Sequence, residues 1–266
     1  MAWRASRDCS LSRCRKCGFA WVPHPNFDSA RQYVEDRTSP TSYYRAAETV
    51  DLVTFDHRLQ RLGVDVAGRI LDVGCTVGTF LIAARHRQWS AVGIEPNPRA
   101  AAIARARGFE VHEGFFQDGT TAGLGPFDAV HLGDVLEHVV DPIAFLNRAR
   151  TVLQPHGKIL VVTPDIGTLF GRLLQVKPQE HLVYFTARAL RHALEAAGFA
   201  NVTIERSGRR RSIVALRHST TFGTAAQPWL RMLAVPGLRH AAEWTIETVI
   251  RDELLAVAEA PAGTHR

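Results

Sequence analysis

Asp72, Gly74, Gly78 and Glu95 are the residues of this chain whose types and spacing carry chemistry. They stand in the run Arg69-Ile70-Leu71-Asp72-Val73-Gly74-Cys75-Thr76-Val77-Gly78-Thr79-Phe80 and in Ala91-Val92-Gly93-Ile94-Glu95. Glycine permits positive φ and lets backbone approach a ligand closely. A glycine turn between a strand and a helix aims backbone N–H groups at what binds there. An acid closing the next strand, about 20 residues past the first glycine, stands where a carboxylate bonds a ribose diol. Together these residues point to nucleoside binding. A dinucleotide fingerprint is excluded, because Thr76 and Thr79 occupy the places of its second and third glycines. A P-loop is excluded too, because Gly78-Thr79-Phe80 lacks the lysine.

The elements that must position these residues follow from periodicity. Apolar runs predict strands at 69–74, 90–95, 109–112, 127–132, 158–163 and 200–206, and a last strand within 253–258. Helical spacing predicts helices at 46–62, 78–88, 98–107, 141–153 and 186–197. Pro98 and Pro142 suit first helical turns, Asp141 and Thr186 suit N-caps, and Gly63, Gly108 and Gly198 suit helix ends. Pro155-His156-Gly157 reads as a turn. Alternating strands and helices with nearly continuous apolar strands mean an α/β fold with a doubly wound, mostly parallel, seven-stranded sheet. Segments 165–185 and 209–250 interrupt the alternation at strand carboxyl ends, which face the ligand crevice. They are expected to form the substrate lid. The helix before the first core strand is placed to cover the nucleoside pocket, with Tyr43 and Tyr44 either lining it or packing.

Composition narrows the class. The chain has 266 residues, 46% hydrophobic and 22% charged, and a formal charge of +6. Its dense basic cluster is Arg209-Arg210-Arg211, without the interleaved aromatics of a nucleic-acid surface. No apolar run approaches the roughly 18 residues of a membrane span, and no secretory leader is visible. A cytoplasmic protein with reduced thiols is expected, acting on a small molecule and not on nucleic acid. Nothing in the composition sets an oligomeric state.

Cys14-x-x-Cys17-Gly18 near the N-terminus is half of a zinc knuckle, with Cys9 and His24 nearby as further ligands. Two readings stand: reduced thiols in an incomplete ribbon, or zinc held by Cys9, Cys14 and Cys17. The segment 1–40 is accordingly taken as a partial zinc-ribbon-like unit ahead of a domain spanning 41–266.

The stretches Asp72-Val73-Gly74-Cys75 with Gly78, Gly93-Ile94-Glu95-Pro96, Phe127-Asp128-Ala129-Val130, Asp134-Val135-Leu136-Glu137-His138-Val139 with Asp141-Pro142, and Pro155-His156-Gly157-Lys158 resemble successive motifs of class I S-adenosylmethionine-dependent methyltransferases. The group that includes the ubiquinone-biosynthesis O-methyltransferases is the most similar in pattern. His181-Leu182 with Tyr184-Phe185-Thr186, and Ala197-Gly198-Phe199, match it as well. The resemblance covers about 69–206. It implies the Rossmann-like methyltransferase fold and S-adenosylmethionine as cofactor.

By the same resemblance, Gly74 to Gly78, with Cys75 and Thr76 between them, pass under the methionine moiety, and Asp72 fixes that turn. Glu95 accepts both ribose hydroxyls, followed by Pro96. Phe115 or Phe116 packs on adenine, with Gln117 or Asp118 bonding it. Gly133 and Asp134 present backbone near the sulfonium. His181, and after it His138, are candidates for general base toward a hydroxyl acceptor, and Tyr184 joins His181 in lining the acceptor. The acid-x-x-Glu-His pattern of Asp134, Glu137 and His138 is a magnesium site in some relatives and a structural element in many others. His131, in mid-strand, is expected to pack beside the sheet. The expected activity is O-methylation of a small metabolite such as a sugar, polyketide or phenolic intermediate. C- or N-methylation is the alternative among enzymes. A cofactor-binding or zinc-ribbon interaction protein without turnover is the alternative outside them.

Overall fold

The computed structural model describes residues 3–6, 9–25, 40–63, 68–121, 123–178, 180–208, 210–212, 245–247 and 251–263. Its N-terminal strands are β1 (Trp3–Ser6), β2 (Cys9–Arg13) and β3 (Ala20–Trp21). Helix α1 (Pro40–Gln60) leads into β4 (Arg69–Val73), α2 (Thr79–His86), β5 (Ser90–Glu95), α3 (Pro98–Ala106), β6 (Glu110–Glu113) and α4 (Asp118–Thr121). Next come β7 (Phe127–Gly133), α5 (Pro142–Thr151), β8 (Leu153–Pro164), α6 (Leu169–Leu174), β9 (Val183–Tyr184) and α7 (Ala187–Ala196). The chain then forms β10 (Ala200–Ser207), β11 (Arg210–Ser212), β12 (Thr245–Glu247) and β13 (Glu253–Glu259).

A seven-stranded sheet in the order β10-β13-β8-β7-β4-β5-β6 forms the core. β6, β5, β4, β7 and β8 are mutually parallel, and β13 runs antiparallel between β8 and β10. This is the mostly parallel, doubly wound sheet expected from the alternation. Its central strands are apolar on both sides because both faces are covered. Ile70, Ala129, Leu160 and Val162 pack with Leu59, Leu62, Phe80 and Ala84 of the α1 and α2 layer. Leu71, Val130, Leu132 and Val161 pack with Leu146, Ala149, Leu190 and Leu194 of α5 and α7. The caps follow side-chain chemistry. Asn97 accepts from the Arg99 and Ala100 N–H groups, Asp141 from Ala144 and Thr186 from Ala189.

Three local expectations are revised. Helix α1 begins at Pro40, six residues before the periodic stretch starting at Ala46. Its first turns are polar and show no apolar period, while proline is pre-set for a helix start. Residues 155–157 lie inside β8 as an irregularity and not between elements. Phe127 pairs with Leu153 and Ala129 with Lys158, so β8 carries extra residues against β7 while staying paired. Segment 165–185 is partly regular, holding α6 and β9. Most of 209–250 lies outside the described residues, apart from the antiparallel pair β11–β12.

The N-terminal strands complete a second sheet, in the order β1-β2-β3-β9, by pairing with the 165–185 segment. Ala20 pairs with Tyr184 and Trp21 with Val183. The Val22 N–H donates to the Leu182 carbonyl at 2.9 Å. The Thr186 hydroxyl donates to the Cys17 carbonyl at 2.6 Å, so the N-cap of α7 also anchors the cysteine knuckle. Among the described residues, no helix is long and apolar enough to cross a membrane.

One buried ion pair ties α1 to β13. Arg58 Nη2 donates to Glu253 Oε2 at 2.8 Å, with the two side chains 2% and 4% exposed. Glu253→Gln leaves a charged guanidinium in the core without its counter-ion. It should lower the unfolding free energy by about 3–5 kcal/mol, read from the urea midpoint. Arg58→Met combined with Glu253→Leu should cost far less than the single change, because neither buried charge then remains.

Candidate functional site

The turn after β4 is built from residues in the left-handed region: Gly74 at φ 75, Thr76 at φ 47 and Gly78 at φ 85. The N–H groups of Gly74 and Cys75 both donate to the Ile94 carbonyl, at 2.8 and 3.1 Å, which sews the turn to β5. One residue further, the buried Glu95 carboxylate accepts the Thr76 N–H on Oε2 and the Asn97 N–H on Oε1, each at 2.8 Å. Burial pushes the Glu95 carboxyl up to about 7, although both backbone donors pull the other way. A carboxylate offers about four lone-pair directions, so acceptor capacity is left for two ligand hydroxyls. Pro96 is half-buried and leads into the Asn97 cap.

Cys75 is a packing residue through its side chain. A Cβ at Gly93 would lie 2.5 Å from the Cys75 sulfur, so that glycine makes the room. Burial, joined by the nearby Asp72 and Glu95 charges, pushes its thiol far up. Gly78 plays the same part against Ala104, whose Cβ would be 3.1 Å from a substituent.

Asp72 is engaged by a side chain. In register it faces His131 across β4 and β7, and His131 Nδ1 lies 2.7 Å from Asp72 Oδ1, both groups buried. Burial pushes the Asp72 carboxyl up, opposed by His131 and then Arg58. The imidazole stacks on Phe80 with centroids 3.8 Å apart and planes at 4°, and meets Phe55 edge-on at 6.3 Å. His131 does pack beside the sheet as expected, but the sequence did not disclose its partner. The available signal was a pair of polar residues in two strands otherwise apolar.

Of the two aromatics expected near adenine, Phe116 is buried against Phe145, with centroids 5.3 Å apart, on the α5 side of the sheet. Phe115 is 37% exposed and Gln117 is exposed. The Asp118 side chain lies outside the described residues. Across the crevice, Asp134 adopts φ 55 and its N–H donates to the Val162 carbonyl at 3.0 Å. A Cβ on Gly74 would lie 3.1 Å from the Val135 side chain, so the loops after β4 and β7 meet.

Residues Leu136–His138 form a single 3₁₀ turn at that meeting point. Glu137 is buried, accepts from the Thr163 hydroxyl at 2.9 Å, and is raised by burial and then by Asp134. Its carbonyl accepts the Leu182 N–H at 2.8 Å, which brings the 165–185 segment down onto the turn. The His138 Nδ1–H donates to the Glu180 carbonyl at 2.8 Å. His181 lies perpendicular to His138 at 4.9 Å between centroids, and 5.9 Å from Tyr184. Burial, and then His138, hold His181 well below its ordinary value. Its Nδ1 is buried without a protein partner.

Among the described residues, Glu137, His138 and His181 gather possible ligand atoms within 4.8 Å of one another. Two imidazoles and a carboxylate are a donor set for a divalent transition cation. Sequence spacing related Glu137 to His138 but not to His181, which is brought in by tertiary pairing.

The remaining expected positions lie apart. Tyr43 and Tyr44 stand near the start of α1 with their side chains outside the described residues. Cys14 and Cys17 are half-buried free thiols on the N-terminal knuckle. Backbone N–H groups of Cys17 and Lys16 lower the Cys14 thiol. The Cys9 side chain lies outside the described residues.

A family profile described as a methyltransferase domain matches residues 44–204. The ubiquinone biosynthesis O-methyltransferase of Xylella fastidiosa (strain M23) is 30% identical over 137 residues, covering 49% of this chain and 55% of the relative. The chain thus spans about half the length of the curated relatives it matches. Among solved structures, a SAM-dependent methyltransferase from Archaeoglobus fulgidus superposes with TM-score 0.55 at 17% identity, covering 82% of this chain and 99% of that one. Phosphoethanolamine N-methyltransferase 2 of Haemonchus contortus, in complex with S-adenosyl-L-methionine, gives TM-score 0.59 at 15% identity, covering 98% and 71%. At these identities the structural likeness concerns the fold.

The raised Glu95 has a direct consequence for stability. Folding holds its proton up to about 7, whereas the unfolded chain releases it near the ordinary 4.5. Between those values the unfolded state binds fewer protons, so this group's stabilising contribution is present below pH 4.5 and fades as pH rises towards 7. Ligand-free protein should therefore lose about 1.4 kcal/mol per pH unit more than Glu95→Gln across this window. Urea unfolding of the two proteins at pH 5, 6 and 7 checks it.

Proposed function

Since this chain belongs to the methyltransferase-domain family, the match spanning residues 44–204, we propose that it transfers the methyl group of S-adenosylmethionine to an oxygen of a small metabolite of the sugar, polyketide or phenolic kind. The residues present fit that cofactor. A left-handed glycine turn stands beside a buried acid with spare acceptor capacity, and a buried imidazole nitrogen has no protein partner. Bound, the cofactor supplies a methyl group already activated on its sulfonium, so placement of a nucleophile provides most of the rate.

The chain's own residues divide the remaining work. Glu95 accepts the ribose hydroxyls. The backbone of Gly74 to Gly78, including Cys75 and Thr76, supports the methionine end, and Gly133 and Asp134 border the reacting centre. Phe115, the exposed member of its pair, covers adenine. Tyr184, 5.9 Å from the His181 ring, stands beside the acceptor. His181 is the general base. The observation that carries oxygen as the acceptor atom is its Nδ1, buried and without a protein partner, while the Gln175 backbone bonds the ring. A hydroxyl nucleophile must lose a proton as it attacks, and an imidazole kept neutral by burial accepts it across the neutral range. His138 packs perpendicular to that ring and holds it in place. The Cys14–Cys17 knuckle offers two free thiols, half of the four ligands a structural zinc takes, and is read as an incomplete ribbon with reduced thiols.

Isothermal titration with S-adenosylhomocysteine tests the cofactor assignment. Glu95→Ala should weaken binding at least tenfold. Thr76→Gly should leave it nearly unchanged, because residue 76 already sits at φ 47 and keeps its N–H. Absence of binding to folded wild-type protein refutes the assignment. His181→Asn should lower kcat by roughly 10²-fold without altering that affinity, and mass spectrometry of the product should find the methyl on oxygen.

A further inference from the structure

Asp72 was expected to fix the glycine turn, and in the structure its carboxylate pairs with His131, a residue given no ligand role above. The two residues are in register on adjacent parallel strands, and the two-residue period of a strand puts both on the α1/α2 face. Asp72 takes up one ring nitrogen of His131. The other, Nε2, is buried without a protein partner in a residue 2% exposed. Leaving such an atom unsatisfied costs about 1–3 kcal/mol, and the ring is not free to turn away. Phe80 stacks on it and Phe55 closes its edge.

The direction of the ring is set by Gly133. A Cβ there would lie 2.6 Å from His131 Cε1, 3.0 Å from Nε2 and 3.6 Å from Nδ1. The Cε1–Nε2 edge therefore leans along β7 towards its carboxyl end, where ligands of such sheets bind. That end also meets the Gly74 turn, through Val135. The crevice is thus flanked by two buried polar groups, one on each neighbour of β4. Glu95 ends β5 on one side, and His131 lies near the end of β7 on the other.

We propose that His131, oriented by Asp72, binds the cofactor by accepting a hydrogen bond on Nε2 from the α-ammonium of its methionine end. The proposal rests on the methyltransferase reading. Glu95 takes the ribose, which assigns the amino-acid end to the opposite flank of β4. In the neutral tautomer whose Nδ1–H is donated to Asp72 Oδ1, Nε2 carries a lone pair. An ammonium satisfies that lone pair and meets the aspartate's negative charge across the ring. Arg58 belongs to the same layer, since its charge bears on Asp72 and its guanidinium lies 5.5 Å over Phe55. Its Nε and Nη1 have no protein partner, so the layer offers donors to a carboxylate as well.

The test uses the full chain and two ligands: S-adenosylhomocysteine and its analogue with the α-amino group replaced by hydrogen. Wild type should bind the analogue about tenfold more weakly. His131→Asn keeps a donor for Asp72 but has no Nε2 lone pair, and should bind both ligands with equal affinity. A folded variant that still discriminates tenfold overturns the proposal, as does a wild type that does not discriminate. Should the variant fail to fold, imidazole ¹⁵N NMR of wild type decides. The His131 Nε2 resonance should be unprotonated in free protein and move on addition of S-adenosylhomocysteine but not of the analogue. An Nε2 that carries a proton in the free protein, or one that does not move, overturns the proposal. Failure of wild type to bind S-adenosylhomocysteine at all refutes the cofactor reading instead, so the two failures are distinct.

Discussion

Two backbone N–H groups converging on one buried carboxylate hold this site together. Glu95 sits at the end of β5, yet it bonds the turn after β4 through Thr76 and the start of α3 through Asn97. The Ile94 carbonyl beside it takes two more N–H groups from the same turn. A glycine turn left to itself would lose its shape to entropy. Here three hydrogen bonds to one strand end fix it, from the N–H groups of Gly74, Cys75 and Thr76, so the turn is held in shape before anything binds.

That arrangement places ionisable groups where water is scarce. Asp72, Glu95 and Glu137 all lie near the carboxyl ends of parallel strands, and burial raises each of them. Each has a specific counterpart: an imidazole for Asp72, backbone donors for Glu95 and a threonine hydroxyl for Glu137. Hydrogen bonds of this kind offset part of the desolvation cost without removing it. The surrounding α/β layers supply the stability that lets a concentrated polar floor persist.

The N-terminal strands bear on the site indirectly. By adding β3 to β9 they brace the segment that carries His181 and Tyr184. The same segment is held from below by the bond between Leu182 and the Glu137 carbonyl. The perpendicular packing of His138 and His181 is thus a product of two sheets and one 3₁₀ turn.

Much of this was legible in the residues. Apolar runs on both faces, caps at Asp141 and Thr186, and glycines at forced turns are local signals, and they determined the alternation, the parallel sheet, and the roles open to Gly74, Gly78 and Glu95. The start of α1 was not legible, because its first turns carry no apolar period. The bulge in β8 was not legible either, because proline and glycine mark a turn whether or not the strand continues through it. Tertiary structure alone decided which side chains share a place. Asp72 meets His131 only through parallel register, His181 reaches Glu137 and His138 only through long-range pairing, and Phe116 rather than Phe115 turns into the core. Side-chain type and spacing specify what a residue can do along its own element, while the direction of a ring nitrogen depends on packing from strands and helices distant in sequence.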